Sequence, residues 1–323
     1  MNQTLYIVIP CYKEQEVLPE TARRLKEKMN CLMAAGKISP ESRVLFVNDG
    51  STDQTWPIIC KLHQENPLFS GVNLSRNRGQ QNALLAGLMT AKDRADMVIS
   101  MDVDLQDDIN AVDAMVDKFY EGCDIVYGVR SSREKDTFFK KFTAESFYHV
   151  MSFLGADTVF NHSEYRLMSK RALEDLAQFK EVNLFLRGIV PMIGYQTGVV
   201  EYERGERFAG ESKYPLKKLL ALAAEGITSL STKPLQYITG LGFLIFAVSI
   251  LMLIHFIAQW FVGNTVAGWA SVICSVWAIG GLILLSLGVI GEYVGKIYLE
   301  TKGRPRFIIQ EILDDKAALE DGV

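Results

Sequence analysis

Hydrophobic positions along this chain follow two rhythms. Up to about Leu230, short apolar runs alternate with amphipathic stretches; from about Leu235 to Tyr293, charge almost disappears. In the first part, Leu5–Ile9, Val44–Val47, Val72–Leu74, the apolar run from Met97 and Ile125–Gly128 have the length and composition of strands. Between them, Glu16–Ala35 carries Val17, Leu18, Leu25, Met29 and Leu32 at helical spacing, and further helices are predicted over Gln54–Glu65, over Gln80–Ala91 and from near Ile109. A strand, a polar turn and a helix in repetition form the unit of a parallel sheet, so the pattern predicts an α/β domain. Its polar clusters follow the carboxyl ends of strands, where open sheets of this kind bind ligands.

The second rhythm predicts a membrane anchor. Leu235–Val262 and Ala267–Tyr293 are each apolar over about 25 residues, enough at ~1.5 Å per residue to cross a ~30 Å hydrocarbon layer. Before them, Leu216–Leu230 reads either as an amphipathic helix lying along the membrane or as a helix packed on the domain. Lys213, Lys217, Lys218 and Lys233 precede the first span, and Lys296, Lys302, Arg304 and Arg306 follow the second, which puts both ends in the cytoplasm. His255 and Gln259 beside Trp260 fit the outer interface, and Gly280, Gly281, Gly288, Gly291 and Gly295 suggest close helix contacts. The expected organisation is a soluble domain over 1–212, an interfacial region over 213–233, a two-helix membrane domain over 234–295 and a cytoplasmic tail over 296–323. Within that tail, Arg306–Ile309 is a candidate strand that could reach a neighbouring subunit.

Composition narrows the function classes. The 323 residues exceed the usual single domain, and 49% hydrophobic content beside 22% charge requires the uneven distribution just described. A net charge of −4, with no long basic tract, argues against a nucleic-acid partner. The five cysteines are odd in number and irregularly spaced, as expected of free thiols in a reducing compartment. The run Leu5–Ile9 is too short for a cleavable signal and ends at Pro10.

Candidate chemistry concentrates where the run from Met97 ends in Asp102 and Asp104, with Gln106, Asp107 and Asp108 just behind. Two carboxylates at a strand end can hold a hard divalent cation against substrate phosphates; alternatively, they are turn and cap residues of the helix that follows. Neither the glycine-rich dinucleotide fingerprint nor a P-loop is present, so a nucleotide would have to be held by acids, a metal and the loops after the first two strands.

The ordered set Ile9-Pro10-Cys11-Tyr12-Lys13-Glu14, Val47-Asn48-Asp49-Gly50-Ser51-Thr52-Asp53, Asn77-Arg78-Gly79-Gln80, Asp102-Val103-Asp104-Leu105-Gln106, Gly128-Val129-Arg130, Tyr165-Arg166-Leu167-Met168-Ser169 and Gly210-Glu211-Ser212-Lys213-Tyr214 resembles family 2 glycosyltransferases of the GT-A fold. Among these it is similar to polyprenyl-phosphate glycosyltransferases related to dolichol-phosphate mannose synthase and the bactoprenol glucosyltransferases. The resemblance covers nearly the whole chain. It implies a Rossmann-like GT-A domain with a mostly parallel sheet, followed by the interfacial helix and two transmembrane helices. It further implies that Pro10, Tyr12, Glu14 and Asp49, with Asp102, hold a UDP-sugar, and that Asp102, Asp104 and Gln106 are the ligands of Mg²⁺ or Mn²⁺.

The acceptor implied is a polyprenyl phosphate. Basic side chains are then its natural ligands: Arg130 first, because it follows a strand end, with Arg133, Lys140, Lys141, Arg204, Arg207 and Lys213 as further candidates. Residues of the 133–141 segment could equally rest on anionic lipid. Relatives carry Gly-Asp-Phe-Arg where this chain has Ser163-Glu164-Tyr165-Arg166; their Asp is thought to orient the sugar or acceptor or to act as a base, and Glu164 moves that carboxylate by one methylene. Asp102, Asp104, Arg130 and Glu164 form the expected catalytic set. The resemblance also implies a multi-pass protein of the cell membrane with its catalytic domain cytoplasmic, a homo-oligomer such as a tetramer, and a downstream flippase and membrane glycosyltransferase as partners. Two other readings are a processive polysaccharide synthase, whose Gln-x-x-Arg-Trp signature is missing, and a catalytically silent nucleotide-binding scaffold.

Overall fold

The structure, a computed structural model, describes residues 2–131, 162–182, 185–203, 205, 233–261 and 268–314. The expected strands and helices are found: β1 (Leu5–Cys11), α1 (Leu18–Ala34), β2 (Arg43–Asn48), α2 (Thr55–Glu65), β3 (Phe69–Leu74), α3 (Gln80–Lys92), β4 (Met97–Ser100), α4 (Ala111–Tyr120) and β5 (Ile125–Arg130). Sequence periodicity did not foresee β6 (His162–Ser169), α5 (Lys170–Leu176), α6 (Leu186–Met192) or β7 (Thr197–Tyr202).

The strands form one eight-stranded sheet in the order β7-β5-β6-β4-β1-β2-β3-β8. Pairs β1–β2, β1–β4, β2–β3 and β5–β7 are parallel, and β6 runs antiparallel between β4 and β5. A strand reversed between two others brings its own amino end to their carboxyl ends. The start of β6 therefore joins the ends of β4, β5 and β7 on one edge.

Both faces of the sheet are covered, which is why β1 reads as a continuous apolar run. Leu5, Ile7 and Ile9 pack with α1 and α4 on one side, whereas Tyr6 and Val8 pack with α3, α5 and α6 on the other. Gly87 sets the depth of α3: a Cβ there would lie 2.4 Å from Val8 Cγ1 and 2.6 Å from Val47 Cγ2. This close seat delivers Gln80 and Gln81, the first residues of α3, to the carboxyl edge.

The strand expected at Arg306–Ile309 lies three residues further on, as β8 (Ile309–Leu313), and pairs antiparallel with β3 of its own chain. It covers an otherwise open sheet edge. Asp314, buried just beyond it, is ion-paired to Arg94.

A second unit contains α7 (Lys233–Phe261) and α8 (Trp269–Lys302), helices in the two regions where spans were expected. Among the described residues one segment, Ile279–Lys302, is long and apolar enough to cross a membrane. Large apolar side chains, among them Phe243, Leu251, Leu284 and Leu285, are exposed on both helices. The interfacial helix expected over Leu216–Leu230 lies outside the described residues.

Candidate active site

Three loops leave the parallel strands β1, β2 and β4 at the same edge, and a fourth leads from β3 to α3. Backbone-to-side-chain bonds stitch the first two together: Lys13 N donates to Ser51 Oγ at 3.0 Å, and Glu14 N to Thr55 Oγ1 at 3.0 Å. Lys13 adopts a left-handed φ of 57° at this junction, a backbone state costly for a residue with a side chain. The second and fourth loops are joined through Asp49, whose carboxylate oxygens accept from Arg78 N at 2.7 Å and Gly79 N at 2.9 Å. Gly50 makes that approach possible, since a Cβ on it would stand 2.5 Å from the Arg76 carbonyl carbon and Asn77 N.

The acidic loop after β4 is held from all sides. Thr21 Oγ1 donates to Val103 O at 2.8 Å, Tyr165 OH to Asp108 O at 3.0 Å, and Gly205 N to Gln106 O at 2.9 Å. Leu105, at the turn between Asp104 and Gln106, has a φ of 59° and is, among the described residues, the other non-glycine residue in the left-handed region. Two of the acids make turn or cap contacts. Asp108 Oδ1 accepts from Asn110 N at 2.9 Å ahead of α4, and Asp104 Oδ1 accepts from Gln106 N at 3.1 Å within the turn.

Asp102 differs from both. Its Oδ1 accepts from the neutral Gln80 amide at 2.7 Å. Burial, then the charges of Asp107, Asp104 and Glu164, push its carboxyl up to about 7, opposed by Arg187. Asp107, unlike the partly exposed Asp102, is buried in full, and burial raises its carboxyl although Tyr202 OH donates to Oδ1 at 2.5 Å and Arg130 lies 4.0 Å away. Its Oδ2 has no hydrogen-bond partner among the described residues.

Asp102, Asp104 and Asp107 offer hard carboxylate oxygens, the ligand type that a Mg²⁺ or Mn²⁺ ion takes, with Asp107 buried and the other two partly exposed. Among the described residues no three His, Cys, Asp or Glu side chains gather as a metal-ligand group.

Glu164, beside the end of β4, is surrounded quite differently. Its Oε1 accepts from Gln81 Nε2 at 2.8 Å and from Arg187 Nε at 2.9 Å, and its Oε2 is ion-paired to buried Arg166. Burial alone would raise this carboxyl, but the charges of Arg166 and Arg187 and the two hydrogen bonds outweigh it and hold it at about 2. It is therefore a fixed carboxylate and a very weak base. Gln81 Oε1 also accepts from Leu186 N at 3.1 Å, tying α6 to α3.

The remaining expected residues fall as follows. Pro10 is in β1 opposite Val47, Tyr12 is 42% exposed just beyond it, and Glu14 lies partly buried in the same loop. Arg130 ends β5 with Nε 3.4 Å from Tyr202 OH and a terminal guanidinium nitrogen 4.0 Å from Asp107, so it meets the acidic loop. Arg133, Lys140, Lys141, Arg204, Arg207 and Lys213 lie outside the described residues. Sequence reasoning missed Gln80 and Gln81 as side chains of the site, the burial of Asp107, and Tyr202 and Arg187. A signal existed for Arg187, a lone charge inside the apolar run Leu184-Phe185-Leu186-Arg187-Gly188-Ile189.

Residues 6–177 match the family described as Glycosyl transferase family 2. The chain is 50% identical to the uncharacterized glycosyltransferase YkoT of Bacillus subtilis, over 94% of this chain and 90% of that protein. It is 40% identical to the bactoprenol glucosyl transferase of Shigella phage SfX, over 94% and 98% respectively. Among solved structures, the mannosyltransferase PcManGT of Pyrobaculum calidifontis, in complex with GDP-Man and Mn²⁺, is similar over 93% of this chain and 85% of its own, with a TM-score of 0.45 and 16% identity. A family match across more than half the chain and half identity to a glycosyltransferase over nearly its full length agree with an α/β sheet bearing its acidic loop at the carboxyl edge, and this chain belongs to glycosyl transferase family 2, with a domain of the GT-A type.

Proposed function

We propose that the protein transfers a single sugar, glucose or N-acetylglucosamine, from its UDP derivative to a polyprenyl phosphate, inverting the anomeric centre. The observation carrying this reading is the acidic loop behind β4, fixed in a chain whose relatives include bactoprenol glucosyl transferases. When bound there, a divalent cation would supply positive charge to the departing diphosphate. Asp102 and Asp104, with Gln106, are the residues that would hold it, and the firm backbone of the loop keeps them aimed without reorganisation.

Pro10, Tyr12, Glu14 and Asp49 line the uridine side, in loops already bound to each other. Acceptor phosphate is ionised at neutral pH, so the reaction needs no strong base. A phosphate oxygen attacks the anomeric carbon as the bond from that carbon to UDP breaks, and UDP leaves with the electron pair. The protein's task is to aim and charge-balance two anions. Arg130 meets the acid loop and is the first candidate for the acceptor phosphate, joined by Arg133, Lys140, Lys141, Arg204, Arg207 and Lys213. Glu164 acts as an orienting carboxylate. Its low pKa counts against a role as base.

Two spans, α7 and α8, would anchor the domain at the cytoplasmic membrane face, where nucleotide sugars and the lipid meet; their outward apolar side chains support this. The lipid-linked sugar would then be flipped and used by a membrane glycosyltransferase to decorate a cell-wall or surface polymer, and an oligomer of this chain would be the working unit. The test is incubation of the purified protein with undecaprenyl phosphate, Mn²⁺ and a panel of labelled UDP-sugars. One sugar per lipid is expected; long polymer, or UDP binding without transfer, overturns the proposal.

A further inference from the structure

Arg130 and Tyr202 close β5 and β7, and the parallel register sets them directly opposite each other. Tyr202 is fixed by contacts that do not involve its hydroxyl. Its carbonyl accepts from Ser131 N at 2.9 Å and from Ser131 Oγ at 3.2 Å, which ties its backbone to the residue after Arg130. Its ring meets Tyr165 edge to face, with centroids 5.3 Å apart. The hydroxyl is thereby brought between two charged side chains, Asp107 on the acidic loop and Arg130 at the end of β5.

A phenol has one proton to give, and Tyr202 gives it to Asp107 Oδ1 at 2.5 Å. Toward Arg130 its oxygen can then only accept, which suits Nε, a group that can only donate. Asp107 thus sets the direction of the hydroxyl without taking the guanidinium for itself, because Arg130 Nη2 stays 4.0 Å from its Oδ1, beyond hydrogen-bond length. Arg166 shows the alternative: it is ion-paired to Glu164, bonded to Leu186 O and buried, so its donors are spent within the chain. Arg130 is held near a carboxylate and not consumed by it. Among the described residues neither of its terminal amino groups donates a hydrogen bond, and its side chain is 28% exposed against 2% for Asp107.

Resting on the proposed transfer to a polyprenyl phosphate, we infer that Tyr202 is a positioning residue for Arg130. Its hydroxyl seats the guanidinium at Nε and leaves the terminal amino groups as a fork for the acceptor phosphate. The contact is long, 3.4 Å, so the hold it exerts is modest. A Tyr202 that merely covers the acidic loop would be structural instead, and its hydroxyl would then matter equally with or without Arg130.

The experiment uses the full chain in detergent with Mn²⁺ and measures farnesyl phosphate and UDP binding by calorimetry for the wild type, Tyr202→Phe, Arg130→Gln and the double variant. Tyr202→Phe keeps the ring on Tyr165 and should weaken farnesyl phosphate by about three- to tenfold, with UDP within about twofold and the KM for undecaprenyl phosphate raised by a similar factor. Arg130→Gln should cost about tenfold or more, and adding Tyr202→Phe to it should change the affinity by less than about twofold. The inference fails if Tyr202→Phe leaves farnesyl phosphate binding within twofold, if it weakens UDP as much, or if its loss is undiminished beside Arg130→Gln. Should Tyr202→Phe not fold, Arg130→Lys keeps the charge but has no Nε to seat, and unchanged farnesyl phosphate binding by that variant overturns the inference equally. Failure of the wild type to bind farnesyl phosphate also overturns it, whereas binding without sugar transfer defeats the functional reading alone.

Discussion

Asp102 and Glu164 stand at the same edge of the sheet, within electrostatic reach of each other, yet one carboxyl is pushed up to about 7 and the other held at about 2. Burial acts in the same direction on both. Their neighbours differ: Glu164 has two guanidiniums of its own chain against it, whereas Asp102 has a neutral amide and a circle of further acids. Company rather than burial sets the charge state. One carboxylate of the edge is thus neutralised by its own chain, and the other is where, on the proposed function, a cation would add positive charge.

The largest effect should come from removing the carboxylates that would hold that cation. Asp102→Ala and Asp104→Ala are expected to lower sugar transfer by about a thousandfold or more, the size of several kcal/mol of charge stabilisation. Thermal melts should show Asp102→Ala folded, because it removes a carboxylate that is costly to ionise in place. Transfer by Asp104→Ala at saturating Mn²⁺ would break the contrast.

The neutralised carboxylate should respond in stability instead. Glu164→Gln leaves Arg166 buried without its counter-ion, and losing one partner of such a pair costs about 3–5 kcal/mol. Chemical denaturation of both proteins measures this. The pH dependence follows from the depressed pKa: the contribution of Glu164 is present above its ordinary value near 4.5 and lost as pH falls towards about 2, so the gap between the proteins should narrow through that window.

Asp102 carries the opposite sign. A carboxyl raised to about 7 contributes to metal-free stability most fully below its ordinary value near 3.8, and that contribution is lost as pH rises through 7. Below pH 7 a proton competes with the cation, and Mn²⁺ affinity should fall by a factor approaching about tenfold per pH unit, read by titration at pH 5 to 8. Affinity independent of pH over that range would exclude Asp102 as a ligand titrating near 7.

The same contrast explains what could be read from the chain beforehand. β1 to β5 were legible because strands covered on both faces are plainly apolar, and the Asp102–Asp108 acids stood out against the end of such a run. β6 was hidden by its chemistry: Glu164 and Arg166 look like surface residues, and only their mutual neutralisation allows both inside a strand. β7 is an edge strand whose exposed and buried positions alternate too briefly to stand out. The placing of Gln80, Gln81 and Arg187 depends on how α3 and α6 dock, and the short approach at Gly87 that sets it follows from tertiary packing rather than local pattern. Asp49 was expected as a nucleotide ligand; its carboxylate joins two loops through Arg78 N and Gly79 N, which no local pattern announced, and the nucleotide contact stays a proposal.

The smallest expected effect tests whether the two carboxylates are separable. Gln80 donates to Asp102 and its neighbour Gln81 donates to Glu164, so one helix start serves both carboxylates with the same chemical group. Gln80→Leu removes one neutral-donor bond to a carboxylate, worth about 1–2 kcal/mol, and should weaken Mn²⁺ by about five- to tenfold. Gln81→Leu removes the matching bond to Glu164, where two arginines remain, and should leave Mn²⁺ affinity within about twofold. Both variants keep the Gly79 turn and the seat of Gly87, but Gln81→Leu also loses the bond from Leu186 N, so its melting temperature should fall further than that of Gln80→Leu. Equal losses of Mn²⁺ affinity would mean that the start of α3 moves as one piece and that the two carboxylates are coupled through it, rather than set by their separate surroundings.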